Sequence, residues 1–324
     1  MKRTTLLLLA ALLLMSKRRS VICAAVAVGA LVALALNQPL YADTKVVDPS
    51  GGGDYTTIQA AVNGLTNSGP RTIIVRAGIY HEAVPTAFDL RELLGIPIVT
   101  TFHLFQHQVM QVEKLVPTEQ VMFSVVMEGN GLCASDRVIV CSKSMEDYIG
   151  AGFGMEHRPV KRIPNAIEPH EFDVEPVDFK CDKPVVLFSG RLSKQKGIEQ
   201  LVDAIELTDR YFFVVMGRIP AIEGGENHPY AVKLRELEAK HPDRLRWLGH
   251  IEGPDRFRWF KRADVGIVPS LCEPFGIVAL EFFAAQTPLV TTAVDGLSEF
   301  VNEENAFIIP NASPENIIAG LQSG

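Results

Sequence analysis

The sequence is short of the residues that mark several common protein classes. It has five cysteines in 324 residues, at positions 23, 133, 141, 181 and 272, and no Cys-x-x-Cys pair. That excludes zinc ribbons, thioredoxin-like redox sites and disulfide-dense scaffolds, and makes buried thiols the expectation for the four beyond residue 42. Positive charge is not in excess either: 31 Lys+Arg stand against 38 Asp+Glu, a formal net charge of −7. A general nucleic-acid binder needs a surplus of cations to neutralise phosphates, so that class is excluded as well. There is no Asp-x-Asp metal motif, and no Walker loop with its terminal Lys-Ser/Thr, so any phosphate chemistry here has to rest on other groups. What remains is an ordinary balance, 47% hydrophobic and 21% charged, in a chain long enough for about two domains.

The apolar residues are concentrated at the start. Lys2 and Arg3 precede a leucine-rich run at 6–14; Lys17–Arg19 then restart the pattern before the apolar run 21–36, and the small residue Ala42 follows. Such an order reads as a secretory leader over residues 1–42, with an uncleaved membrane anchor as the alternative. The second run is somewhat shorter than the ~20 apolar residues that a spanning helix needs. Membrane contact is expected only through this leader.

Residues 43–85 form a second island. A turn-rich stretch at 48–55 contains three consecutive glycines, 57–62 reads as a short helix, and 71–76 is β-rich. The pieces "GGGDYTTIQAAV" and "RTIIVRAGIYHE" resemble the opening of pectin methylesterases and related right-handed parallel β-helix proteins. No further repeat of that period follows, and a single solenoid coil cannot bury its own apolar face. The residues that do esterase chemistry in that family would lie beyond this stretch, so no catalytic residue carries over.

From residue 86 the pattern changes to alternating strands and helices. Strands are expected at 95–102, 136–142 and 160–167, with a helix at 144–149 and a linker at 168–183. Beyond the linker the rhythm is regular. Strands are expected at 184–189, 211–216, 245–248, 265–269, 288–292 and 306–309, and helices at 198–207, 230–240, 255–263, 277–285, 297–301 and 314–321. Continuous apolar strands between amphipathic helices imply an α/β, doubly wound parallel sheet, which binds ligands at the carboxyl ends of its strands.

Three of those strand ends carry candidate chemistry. The loop 189–197 holds Gly190, then the cations Arg191 and Lys196 just ahead of a helix. A forked donor, a mobile ammonium and a helix N-terminus together suit a diphosphate; a solvated surface turn is the alternative. The loop 269–281 reads Pro-Ser-Leu-Cys-Glu-Pro-Phe-Gly-Ile-Val-Ala-Leu-Glu, with Glu273 in the loop, Pro274 expected in the first helical turn, and Glu281 about one turn further on. Carboxylates placed so can accept hydrogen bonds from sugar hydroxyls. His103 ends the run 96–102, where an imidazole could meet a substrate; with His107 it could also be read as a metal pair, but no third ligand stands at suitable spacing.

Together these residues carry a resemblance. From residue 86 to 324 the chain is similar to the retaining glycosyltransferases of family four, the glycogen-synthase-like branch with the GT-B fold. The matching pieces are "GIPIVTTFH", "SDRVIVCS", "IPNAIEPHEF", "GRLSKQKGIEQLVDAI", "WLGHI" and "PSLCEPFGIVALEFFAAQTPLVTT". The resemblance implies a nucleoside diphosphate sugar as donor, a carbohydrate or other hydroxyl as acceptor, and no metal or resident cofactor. It implies that Gly190, Arg191 and Lys196 hold the diphosphate and that Glu281 binds the ribose hydroxyls. Glu273, with the backbone of Phe275, Gly276 and Ile277, would cradle the transferred sugar, and the turn with Gly249, His250 and Ile251 would lie against the nucleobase. His103 would reach the donor sugar from the opposite domain, Glu273 and His103 being the catalytic pair, and Asn165 matches a hinge asparagine.

The division implied is a leader at 1–42, a pectinesterase-like fragment at 43–85, a partial acceptor-side domain at 86–170 and a nucleotide-sugar-binding domain at 171–324. The first domain is expected to be shortened, because the β-helix-like fragment stands where family members carry further βα units, and transfer would be impaired accordingly. Two other classes stay open: an exported pectin-esterase-like or carbohydrate-binding protein, and a non-catalytic nucleotide-binding module. The leader argues for export, the transferase portion for the cytoplasm.

Overall fold

The computed structural model describes residues 43–47, 71–75, 99–114, 119–154, 159–219 and 225–323. The leader, the helix expected at 57–62 and the loop 220–224 lie outside the described residues. The chain divides into two units, one of residues 1–106, 117–139 and 157–161, the other of 107–116, 140–156 and 162–324.

The N-terminal part is built from short parallel pieces. Strand β1 (Asp43–Val47) pairs in parallel with β2 (Arg71–Val75). Strands β3 (Val99–Phe102), β4 (Arg137–Val140) and β5 (Val160–Arg162) form a three-stranded sheet in that order. Between β3 and β4 run α1 (Gln106–Glu113) and α2 (Glu119–Ala134), which the sequence pattern did not single out. The signal of α2 is weakened by Gly129-Asn130-Gly131, residues of poor helix propensity inside it. Helix α3 (Lys143–Phe153) is longer than expected. It starts at an N-cap, where Ser142 Oγ accepts from the Met145 N–H at 3.2 Å, and stops at Gly154, which is left-handed at φ 65°.

The second unit is a six-stranded sheet. Its strands are β6 (Val185–Ser189), β7 (Phe212–Met216), β8 (Leu245–Gly249), β9 (Val265–Val268), β10 (Leu289–Thr292) and β11 (Phe307–Ile309), in the order β11-β10-β9-β6-β7-β8. Helices α4 (Ile198–Leu207), α5 (Pro229–Lys240), α6 (Pro254–Arg262), α7 (Ile277–Ala285) and α8 (Pro314–Ser323) connect and cover it. The continuous apolar strands are explained by the pleat. In β6 and β7, Val186, Phe188, Phe213 and Val215 point into one core layer, and Val185, Leu187, Phe212, Val214 and Met216 into the other.

Two expectations are corrected here. The helix expected at 297–301 is a 3₁₀ turn at Asp295–Glu299, a segment too short to repay α-helix nucleation and opening on Asp295 with φ 45°. Pro274 lies outside the helix it was expected to start, because Gly276 is the cap and Ile277 the first residue of α7.

Candidate nucleotide-sugar site

The strand order places β6 between β7 and β9, so the chain winds outward in both directions from β6. The winding reverses there, and in open α/β sheets the carboxyl edge at such a switch point is where ligands bind. The two loops flanking that point are those singled out from the sequence, 190–197 and 269–276.

The structure joins them. The Gln195 carbonyl accepts the N–H groups of Leu271 and Cys272 at 2.8 and 3.3 Å. Gly197, at φ 74°, backs onto Pro269 so closely that a Cβ would lie 2.0 Å from the Pro269 carbonyl oxygen. Only glycine tolerates both the backbone angle and the approach. This contact ends a 3₁₀ turn at Lys194–Lys196 and fixes where Lys196 emerges.

Lys196 Nζ donates to Glu273 Oε2 at 2.5 Å, and Ser270 Oγ donates to the same oxygen at 3.0 Å. The Glu273 backbone is held too: its N–H donates to Asp295 Oδ2 at 3.0 Å and its carbonyl accepts the Gly296 N–H at 2.9 Å. Glu273 is buried, as a carboxylate can be when it is paired and hydrogen-bonded. Both of these side-chain bonds fall on Oε2. Beyond it, Gly276 at φ 101° packs against Leu297, and Ile277 is exposed at the start of α7, where the first N–H groups have no acceptor within the helix.

Arg191 is exposed and makes no ion pair among the described residues. The Gly190 N–H donates to the Met216 carbonyl at 3.0 Å and the Gly217 N–H to the Gly249 carbonyl at 2.7 Å, so the ends of β6, β7 and β8 are laced in sequence. His250 is exposed and pairs with Glu252 at 2.5 Å, while Ile251 packs on the core layer below.

Glu281 is buried in α7, and its described partner is one the sequence did not point to. Arg256 Nη1 donates to Oε1 at 2.6 Å and Nη2 to Oε2 at 2.5 Å. Four basic residues in α6 looked alike in sequence, and nothing in their spacing distinguished this one.

His103 stands exposed on the bend after β3. It precedes α1, so His103 and His107 are not both on one helix. Among the described residues no group of three or more His, Cys, Asp or Glu side chains is arranged to hold a metal. Asn165 is half-buried in the segment between β5 and β6. Of the four cysteines beyond residue 42, Cys141 and Cys272 are buried as expected, but Cys181 is half-buried and Cys133 exposed. Burial, with the Asp295 carboxylate beside it, pushes the Cys272 thiol far above its ordinary range, and burial raises Cys141 as well.

Comparison with known proteins agrees with this fold. Residues 170–323 match the family described as Glycosyl transferases group 1, and residues 46–171 match Glycosyltransferase Family 4. The second match runs through the stretch read from sequence as a pectinesterase-like fragment. An uncharacterized glycosyltransferase of Methanocaldococcus jannaschii is 34% identical over 209 residues, 60% of this chain and 52% of that protein. Glycogen synthase of Mycobacterium tuberculosis is 34% identical over 172 residues, 52% of this chain and 40% of that protein. The chain thus spans about half the length of the curated relatives it matches. Among solved structures, sucrose-phosphate synthase from Thermosynechococcus elongatus has a TM-score of 0.66 at 24% identity, covering 83% of this chain and 67% of that one. Anabaena HepE, in complex with UDP and glucose, has a TM-score of 0.61 at 17% identity, covering 82% and 79%. These similarities do not favour the pectin-esterase-like alternative. Residues 170–323 thus match a Glycosyl transferases group 1 domain and residues 46–171 a Glycosyltransferase Family 4 domain, on a parallel-sheet α/β fold of the GT-B type.

Proposed function

We propose that this chain transfers a sugar from a nucleoside diphosphate sugar to an acceptor hydroxyl with retention at the anomeric carbon. The observation that carries the reading is the joined pair of loops at the strand switch point, with Lys196 on Glu273. Glu273 Oε1 faces a hydroxyl of the transferred sugar, and the N–H groups at the start of α7 support it. Lys196 and Arg191 take the diphosphate, Glu281 the ribose, and the turn at 249–251 the base. Residues 171–324 hold the donor in this reading, and residues 86–170, which carry His103, are the acceptor-side domain.

The difficult step is departure of a dianionic diphosphate from an oxocarbenium-like carbon. The Arg191 guanidinium, the Lys196 ammonium held by Glu273 and a helix N-terminus stabilise the charge that grows on the leaving group. The two glutamates bind hydroxyls in this scheme, so a glycosidase-type carboxylate pair is not required.

UDP in complex with HepE supports a nucleotide ligand for this fold. Calorimetric titration with UDP, GDP and ADP tests the reading, followed by assay of nucleoside diphosphate release from the matching sugar donor. Saturable binding with release supports it. Absence of binding to all three overturns it, and binding without release favours a non-catalytic module.

A further inference from the structure

Arg256 stands in the first turn of α6, its N–H bonded to the Gly253 carbonyl at 3.1 Å. Its guanidinium meets both oxygens of Glu281, at 2.6 and 2.5 Å. Behind it lie two rings, Phe260 with its centre 4.9 Å away and Phe257 at 5.9 Å. A cation held by a fork on one side and an aromatic face on the other has little freedom left. Both partners are largely withdrawn from water, with side-chain exposures of 23% for Arg256 and 10% for Glu281.

The fork has a consequence for Glu281. Each carboxylate oxygen can accept about two hydrogen bonds, and the fork uses one on each. The carboxylate can no longer rotate, and it offers one remaining acceptor position per oxygen at a fixed spacing. Two acceptors so held suit two neighbouring hydroxyls, the arrangement a ribose presents and a deoxyribose does not. The anchor also has a defined origin. Helix α6 starts directly after the turn 249–253, so the side chain that orients Glu281 is carried by the helix that follows the segment read as the base contact.

We infer that Arg256 is a positioning residue that fixes Glu281 for the ribose hydroxyls, making the preference for ribo- over deoxyribonucleotides depend on the Arg256 fork. The inference rests on the assignment of Glu281 to ribose proposed above. A fork that merely tied α6 to α7 would change stability, or affinity for every nucleotide equally, and would leave that preference alone.

The test is calorimetric titration of the full chain with UDP, GDP, ADP and their 2′-deoxy and 3′-deoxy counterparts, on wild type, Arg256→Met, Arg256→Lys and Glu281→Gln. Hydrogen bonds to a charged group lead to an expected ribose preference of roughly tenfold or more in wild type. Arg256→Met is expected to bring the ratio close to one by weakening the ribonucleotide alone, and Arg256→Lys, which keeps the charge without the fork, to restore part of it. A ratio unchanged in a folded Arg256→Met overturns the inference, as does an equal loss for both sugars. Tighter ribonucleotide binding overturns it too, because the fork would then compete with ribose. If Arg256→Met does not fold, the ratio in Arg256→Lys decides by the same criterion. A wild type that binds a ribonucleotide without preferring it removes the ribose assignment and the inference together, while a wild type that binds none of the nucleotides removes the donor-site reading itself.

Discussion

The Lys196 ammonium lies 2.5 Å from Glu273 Oε2 across 77 residues of sequence. A strand end on each side of the switch point supplies one partner, and both are mostly buried. Removing one partner alone leaves the other charge stranded. Lys196→Met is therefore expected to cost about 3 kcal/mol of stability, and its combination with Glu273→Gln clearly less than the two single changes added together. Urea denaturation of the four-member cycle checks this. An additive cycle would mean that the two groups do not depend on each other.

The close approach of Gly197 to Pro269 predicts a different kind of loss. Gly197→Ala must give up both the left-handed angle and the 2.0 Å gap, so a cost of about 2–4 kcal/mol is expected, together with weakened nucleotide binding. Gly154 provides the comparison: it is also left-handed, at φ 65°, but has open space around it. Gly154→Ala is expected to cost only about 1 kcal/mol, the backbone component alone. Thermal melts of the two variants separate steric from conformational strain.

Burial of Cys272 and Cys141 links stability to alkaline pH. Each thiol has its folded-state value raised above the ordinary 9.0, so the folded form keeps a proton that the unfolded form releases. Stability is therefore expected to be intact below that ordinary value and to fall as pH rises through and beyond it. Cys272→Ala should flatten the alkaline limb. At neutral pH an alkylating reagent followed by peptide mass mapping should mark exposed Cys133 first and buried Cys141 and Cys272 only on unfolding.

The sheet of the second unit was legible because its strands are apolar on both faces and alternate with helices, of which α4 and α6 are clearly amphipathic; α4 and α7 have the limits expected for them. The loops of the site were legible from the positions of Gly197, Glu273 and Glu281 relative to strand ends. What escaped was the partner of Glu281. The Arg256 pairing depends on how α6 packs against α7, a tertiary relation with no local periodic signature. Asp295 escaped for a related reason: its carboxylate reaches Glu273 N only because the turn after β10 takes a left-handed angle at a residue other than glycine. Helices α1 and α2 lacked the strong apolar stripe that α4 and α6 carry.

That same turn carries Glu299, which accepts the backbone N–H groups of Lys143 and, at 3.3 Å, Ser144, and lies 3.8 Å from Arg162. A carboxylate at the first turn of α3 satisfies donors that the helix cannot and is favoured by its dipole. Since Asp295 at the other end of the turn accepts the Glu273 N–H, the start of α3 and the Glu273 loop share one short support. Glu299→Ala is expected to cost about 1–2 kcal/mol, as loss of a cap does, and to speed amide hydrogen exchange at Lys143 and Ser144. Faster exchange should extend to the Glu273 amide, because the turn loses its anchor. If exchange rises at the helix start alone, the turn is rigid by itself, and the support at Glu273 is independent of α3.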